Sequence, residues 1–196
     1  LVCPQGMDEH WRVLEAVRLW DTGLTEAKNL LIAGDNWRAS GPGRPEGGLS
    51  CPPVTMNILI QDPYLLKRIH GVEVREFDTN TPTQVQWVME RMEELNLRSF
   101  GLCVSSYHCV RWYLTFLKAM IKAEKKYAVI PYSTSSSLDK LVPLSQATPW
   151  DSIQGEVKRI LEYQEKGDVA TLDELKEYLN WLWGHRILFS FVTRAL

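Results

Sequence analysis

Apolar residues recur along this chain in two rhythms. Short runs without a polar interruption stop at turn-forming residues, and longer stretches with apolar positions three and four apart follow them. Leu1-Val2-Cys3 reads as the end of a buried strand, closed by the turn Pro4-Gln5-Gly6. Trp11, Leu14, Ala16, Val17, Leu19 and Trp20 then keep helical spacing until Asp21-Thr22-Gly23 stops it. Residues 30–33 form a second all-apolar run, bounded by Gly34-Asp35-Asn36. Residues 37–53, rich in Gly, Pro, Arg and Ser and without a period, read as a loop, either a lid or an insertion with no task. Residues 57–70 read as a helix kinked at Pro63.

The second half repeats the scheme. Residues 72–77 alternate apolar and charged side chains, as a short strand near a sheet edge does. Thr81 is the expected N-cap, with Pro82 at the first helical position, before Val85, Val88, Met89, Met92 and Leu95. Residues 100–104 are the expected central strand, 107–122 the helix after it and 127–131 a fifth strand. This alternation predicts an α/β fold: a three-layer, Rossmann-like, open and mostly parallel five-stranded sheet with helices on both faces. Residues 133–137 are a polar connector to two C-terminal helices, over 150–163 and 172–183. Trp181 and Trp183 cannot share a helical face, so one should pack and the other lie near the surface. The organisation expected is a Rossmann-like domain over 1–135 and a helical extension over 136–196 packed on it.

Composition narrows the partners. Among 196 residues, 22 basic and 24 acidic side chains nearly cancel and form no block, so nucleic acid is not expected and a small or anionic ligand fits better. Cysteines at 3, 51, 103 and 109 show neither a C-x-x-C pair nor histidines at zinc spacing; reduced thiols and no metal are expected. No apolar run approaches the roughly 20 residues that cross a bilayer, and the run 187–192 falls far short. A cytoplasmic location follows as the expectation, with oligomeric state open.

The stretch Ser105-Ser106-Tyr107-His108-Cys109-Val110-Arg111 carries the most chemical content. It stands where a strand becomes a helix, the place where unpaired N–H groups and the helix dipole favour anions. It also resembles the Ser-x-Tyr-His-x-x-Arg stretch of the DUF218 (YdcF/SanA/ElyC-like) family of bacterial proteins. Arg12, Ala16, Leu19-Trp20 and Gly23 look like that family's first helix, and Leu31-Ile32-Ala33-Gly34 like its strand and Gly turn. Gly71-Val72 and Asn80-Thr81 are similar to its Gly-Val and Asn-Thr-x-Glu-Asn signatures, and the likeness runs from about residue 1 to 133. Thr83-Gln84 stands where Glu-Asn is usual, so a glutamate role cannot be carried over. The resemblance implies a Rossmann-like sheet, links to S-adenosylmethionine binding and, in some members, to the bacterial envelope. Many members carry an N-terminal membrane segment, which leaves an upstream anchor open here.

In an open parallel sheet the ligand crevice lies beyond the carboxyl ends of the strands, where strand order reverses. Gly6, Gly34, Asp35, Asn36, Asp78, Asn80, Thr81, Ser105, Ser106 and Tyr107 stand at such ends and are the candidate ligand-binding residues, with Arg12 reaching in from the first helix. Each is also a common turn or cap residue. His108 and Arg111, three apart on one helical face, are the candidate catalytic pair. His108 is the candidate proton-transfer group, or else a helix cap; Arg111 could clamp a phosphate or carboxylate, or form an ordinary salt bridge. Asp35 and Asp78 could hold a divalent cation or a ribose hydroxyl. Glu156, with Lys158 and Arg159, reads as a charged helix face, although members of the resembled family often have a glutamate near this point. Ser105 and Ser106 do not read as nucleophiles, since His108 lies on the same helix and is poorly aimed.

Two functions follow as expectations. The first is a small-molecule site, enzymatic or not, for a phosphate-bearing or nucleotide-like ligand, S-adenosylmethionine among them; a G-x-G-x-x-G fingerprint is absent. The alternative is a non-catalytic interaction module linked to envelope processes. A metal-dependent phosphatase would need a carboxylate cluster that the sequence does not display.

Overall fold

The computed structural model describes residues 1–6, 10–23, 27–34, 53–134, 139, 141 and 148–185. Five parallel strands, β1 (Val2–Pro4), β2 (Leu30–Ala33), β3 (Val72–Val74), β4 (Ser99–Ser105) and β5 (Ala128–Thr134), form one sheet in the order β3-β2-β1-β4-β5. The expected open α/β sheet is therefore present, and all its described pairings are parallel. From β1 the chain winds outward to β3, then returns to lay β4 on the other side of β1. The order reverses between β1 and β4.

Alternation along each strand divides the core in two, because successive side chains point to opposite faces. Val2, Leu31, Ala33, Leu102 and Val104 face α3 (Thr81–Glu94), α4 (Ser106–Lys122) and α6 (Leu172–Gly184). Leu1, Cys3, Leu30, Ile32 and Cys103 face α1 (His10–Asp21) and the short α2 (Met56–Leu59). Trp112 and Phe116 of α4 stack at 5.5 Å between centroids, and Phe100 meets both edge-on. The last helices belong to this packing: α5 (Pro149–Glu165) lies on α4, while Tyr178 and Leu182 of α6 join the first core.

Tyr178 has a second task. The outward-facing groups of edge strand β5 would otherwise be open to another strand. Its hydroxyl donates to the Tyr127 carbonyl at 2.7 Å and accepts from the Val129 N–H at 3.0 Å. Trp181 packs against the same core and Trp183 is exposed, so the two do part.

Three local expectations are corrected. The expected helix over 57–70 is only α2, from Met56 to Leu59; turns follow through Pro63, whose preceding peptide is cis, and Leu65 takes a positive φ of 50°. Proline lacks the N–H that a continuing helix would use. Asn80, not Thr81, is the N-cap of α3: its Oδ1 accepts from Thr83 N–H at 3.0 Å, and Thr83 Oγ1 accepts from Asn80 N–H. Strand β5 runs on to Thr134, past the expected end at 131, because β4 pairs with it through Ser105↔Thr134. The loop read over 37–53, apart from its last residue, and the run 187–192 lie outside the described residues, as do most of 133–137.

Candidate functional site at the parting of two strands

Pro4 limits the pairing of β1 with β4. Leu1 C=O and Gln5 N–H bond to β2, at 2.8 and 2.9 Å, so residues 2 and 4 present their backbone groups to β4. Proline has no N–H to give, and the pairing of β1 with β4 is carried at Val2↔Leu102. Beyond it the strands need not stay together, at the point where ligands enter sheets of this kind.

On the β4 side, Ser105 ends the strand and starts α4. Its hydroxyl does not cap the helix. It accepts from Arg12 Nε at 2.8 Å and Trp11 Nε1 at 3.2 Å, both from α1. Helices α2, α3, α5 and α6 each have a side-chain cap at the start, whereas α4 has none from Ser105. Arg12 is 2% exposed, a cation held inside by this contact and its surroundings. Next in the sheet, Thr134 is buried and, among the described residues, its Oγ1 has no hydrogen-bond partner. A buried hydroxyl left unpaired is costly, and such groups are usually met by water or ligand. Thr134 was not among the sequence candidates; its position opposite Ser105 depends on register, which the polar run 133–137 did not disclose.

One turn into α4, His108 and Arg111 meet as their spacing predicts: Arg111 Nη2 lies 2.8 Å from His108 Nδ1. The rest of the guanidinium is engaged. Glu156 of α5 accepts from its Nε and, at 3.2 Å, from Nη2; Thr81 Oγ1 accepts from Nη1 at 3.1 Å. The bidentate face proposed for a ligand is thus occupied by Glu156. Arg159 also donates to Glu156, at 2.8 Å. Glu156 is buried, contrary to its reading as a solvated helix face, since its partners stand 45 residues away along the chain. Burial pushes its carboxyl up, but the Arg111 guanidinium, bonded to both of its oxygens, outweighs this and holds it well below the usual carboxylate range. His108 moves the other way. Burial lowers its imidazole from 6.5 to about 4, against the pull of Glu156 and with the help of Arg111 and Arg12.

The remaining strand ends are tied to one another. Gln84 Nε2 donates to the Gln5 and Gly34 carbonyls, at 2.9 and 2.5 Å, and the Gln5 side chain exchanges bonds with Val54. Gln84 was not singled out as a site residue, whereas Gln5 stood with Gly6 at a strand end. Buried Asp78 accepts from Gly34 N–H at 3.2 Å and faces Arg75 Nε at 3.2 Å; burial above all raises its carboxyl, with Arg75 opposing. Gly34 is required by close approach, for a Cβ there would lie 2.6 Å from the Phe77 backbone. Asn80 is exposed and spent on its cap. Gly6, Ser106 and Tyr107 border the β1–β4 parting and are partly exposed, the Tyr107 ring 6.4 Å from that of His108. Asp35 and Asn36 lie outside the described residues. Among the described residues, no group of three or more His, Cys, Asp or Glu could hold a metal ion. No helix among them is long and apolar enough to cross a membrane.

No family model matches the chain, and no solved structure matches it. Among curated proteins it is similar to a heme A synthase of Bradyrhizobium diazoefficiens, 34% identical over 98 residues. The match covers 45% of this chain and 27% of that protein, so the chain spans little more than a quarter of that relative's length. An overlap so partial carries no activity across.

Proposed function

We propose that the chain binds a small, anionic, phosphate-bearing or nucleotide-like ligand at the parting of β1 and β4. What supports this reading is that the start of α4, which Ser105 does not cap, the buried Arg12 cation, the Thr134 hydroxyl, without a partner among the described residues, and the His108 edge lie on this side of the sheet. A helix start and a fixed cation both favour negative charge, and the open hydroxyl supplies a donor. The proposal includes membership of the DUF218 family, on the strength of the Ser-x-Tyr-His-x-x-Arg block, and with it S-adenosylmethionine as one ligand to try.

A thermal-shift panel of inorganic phosphate, sulfate, nucleotides, sugar phosphates and S-adenosylmethionine tests the reading. At least one should raise the melting temperature in a concentration-dependent way, and Thr134→Val should weaken that rise. No response to any of them would refute it.

A second reading has its own observation. Trp150, Val157 and Leu161 are exposed on α5 at spacings of seven and four, and Leu172, Leu179 and Trp183 repeat that pattern on α6. Two apolar stripes of this kind favour an interaction module. Light scattering on the wild type and on Val157→Glu/Leu161→Glu separates the readings: self-association abolished by the double change would favour this one.

A further inference from the structure

His108 sits between two groups that make opposite demands on the same nitrogen. Glu156 Oε2, 3.4 Å from Nδ1, could only accept a proton from it. Arg111 Nη2, at 2.8 Å, can only donate one to it. Both cannot be met at once. A proton on Nδ1 would set N–H against N–H at 2.8 Å, in either the neutral or the charged ring, whereas a bare Nδ1 gives Arg111 a hydrogen bond of ordinary length. Arg111 is itself fixed by Glu156 and Thr81, so it cannot turn away without abandoning both.

We infer that Glu156 and Arg111 are a positioning pair which holds His108 as a neutral imidazole with its proton on Nε2, so that the crevice meets its ligand through a fixed N–H donor and not through a base. This rests on the proposed ligand site and narrows it. Among the described residues Nε2 has no hydrogen-bond partner, and the residue is 9% exposed, so the donor is sheltered and unspent among them. The matching ligand presents an oxygen acceptor there: a phosphoryl, carboxylate or carbonyl oxygen. A substrate that must lose a proton to His108 does not fit. The charged groups facing the ring are Glu156 from α5, Arg111 on its own helix and Arg12 from α1; Thr81 of α3 brings no charge. Burial, with Arg111 and Arg12 opposing the pull of Glu156, keeps the ring neutral, so the donor should persist across the neutral range.

The test reads the ring directly in the free protein. Long-range proton–nitrogen NMR correlations on the uniformly 15N-labelled full chain distinguish a bare from a protonated ring nitrogen, with His108→Asn assigning the signals among the four histidines. The wild type should show bare Nδ1 and protonated Nε2, unchanged from about pH 8 to about pH 6. In Arg111→Met the demand of Glu156 is unopposed: the proton should move to Nδ1, and the midpoint of titration should rise at least tenfold in proton affinity. Glu156→Gln should keep the Nε2 proton, since Arg111 still donates to Nδ1. A protonated Nδ1 in the wild type, or titration near 6.5, would overturn the inference, as would an unchanged tautomer in Arg111→Met. Inorganic phosphate is then added. A shift of the Nε2 signal with both ring nitrogens keeping their protonation supports the donor role, and proton uptake by Nδ1 on binding overturns it. The ring state is measured before any ligand is present, so a failed ligand panel and a failed tautomer are separate results.

Discussion

The folded protein should lose stability as pH falls from neutrality, and His108 should account for a measurable share. In the fold its imidazole protonates only near about 4, against 6.5 in a free chain, because burial disfavours the charged ring. Between those values the unfolded chain holds a proton that the folded chain refuses. Stability therefore rises with pH across this window and is complete above 6.5. At pH 5 the unfolded ring is nearly all protonated and the folded ring mostly not, which corresponds to a loss of about 2 kcal/mol relative to pH 8. Other groups titrate over the same range, so a difference is needed. His108→Asn places an amide oxygen where Nδ1 was, keeps an acceptor for Arg111, and removes the titration. Urea unfolding of both proteins at pH 8, 6.5 and 5 gives two slopes. The wild type should fall more steeply, by about 2 kcal/mol over the interval. Equal slopes would show that His108 is not held neutral by the fold. A gentler wild-type slope would mean that it folds as the imidazolium, paired with Glu156, and the reasoning would fail.

Further predictions concern the frame around the crevice. Tyr178→Phe leaves the Val129 N–H and the Tyr127 carbonyl without their side-chain partner, and urea unfolding should register a loss of about 1–3 kcal/mol. Gly34→Ala drives a methyl into the Phe77 backbone at 2.6 Å; it should cost about 1–3 kcal/mol and lower the thermal midpoint, where an ordinary exposed turn glycine would tolerate the change. Glu156→Ala strands Arg111 beside the buried ring with Thr81 and His108 as its remaining acceptors, and should cost about 3 kcal/mol by chemical unfolding, more than Arg159→Ala, which removes a half-exposed donor.

What the sequence disclosed and what it hid divide along a physical line. Strands and helices that bury a face announce it by period, and Val2, Leu31, Leu102 and Val129 lie in the core that their runs imply. The pairing of His108 with Arg111 was readable because helical geometry sets neighbours three apart. The same stretch hid that Ser105 turns to Arg12 and Trp11, more than 90 residues earlier, and so leaves its helix uncapped. Side-chain ties across long separations leave no periodic trace. Gln84 and Glu156 illustrate this: each looks like any polar helix residue until the fold brings carbonyls or a guanidinium against it. Residues 57–70 failed for a different reason, since five apolar positions at near-helical spacing also suit a short helix followed by turns that pin Tyr64 and Leu66 into the core.

The division between the two sides of the β1–β4 parting gives the crevice its character. On the β2–β3 side Gln84 ties the Gln5 and Gly34 carbonyls together, and Asp78 accepts from Gly34 N–H through one oxygen while the other faces the Arg75 guanidinium, ties that stiffen this wall. On the β4–β5 side, among the described residues, His108 Nε2 and Thr134 Oγ1 have no hydrogen-bond partner, and the Ser105 hydroxyl does not cap α4. On the proposed reading, an acceptor-rich ligand would be stabilised by that second wall and oriented by the first. The helix that finishes the second wall is α5, through Glu156, although it follows the sheet in the chain. Its removal would free Arg111 to bind anions itself and release His108 from its single tautomer. A chain ending before residue 148 should, where it folds, bind inorganic phosphate with a pH dependence near neutrality that the full chain lacks, measurable by calorimetry at pH 6 and 8. Identical pH dependence in the two would show that α5 shapes the fold but not the chemistry of the site.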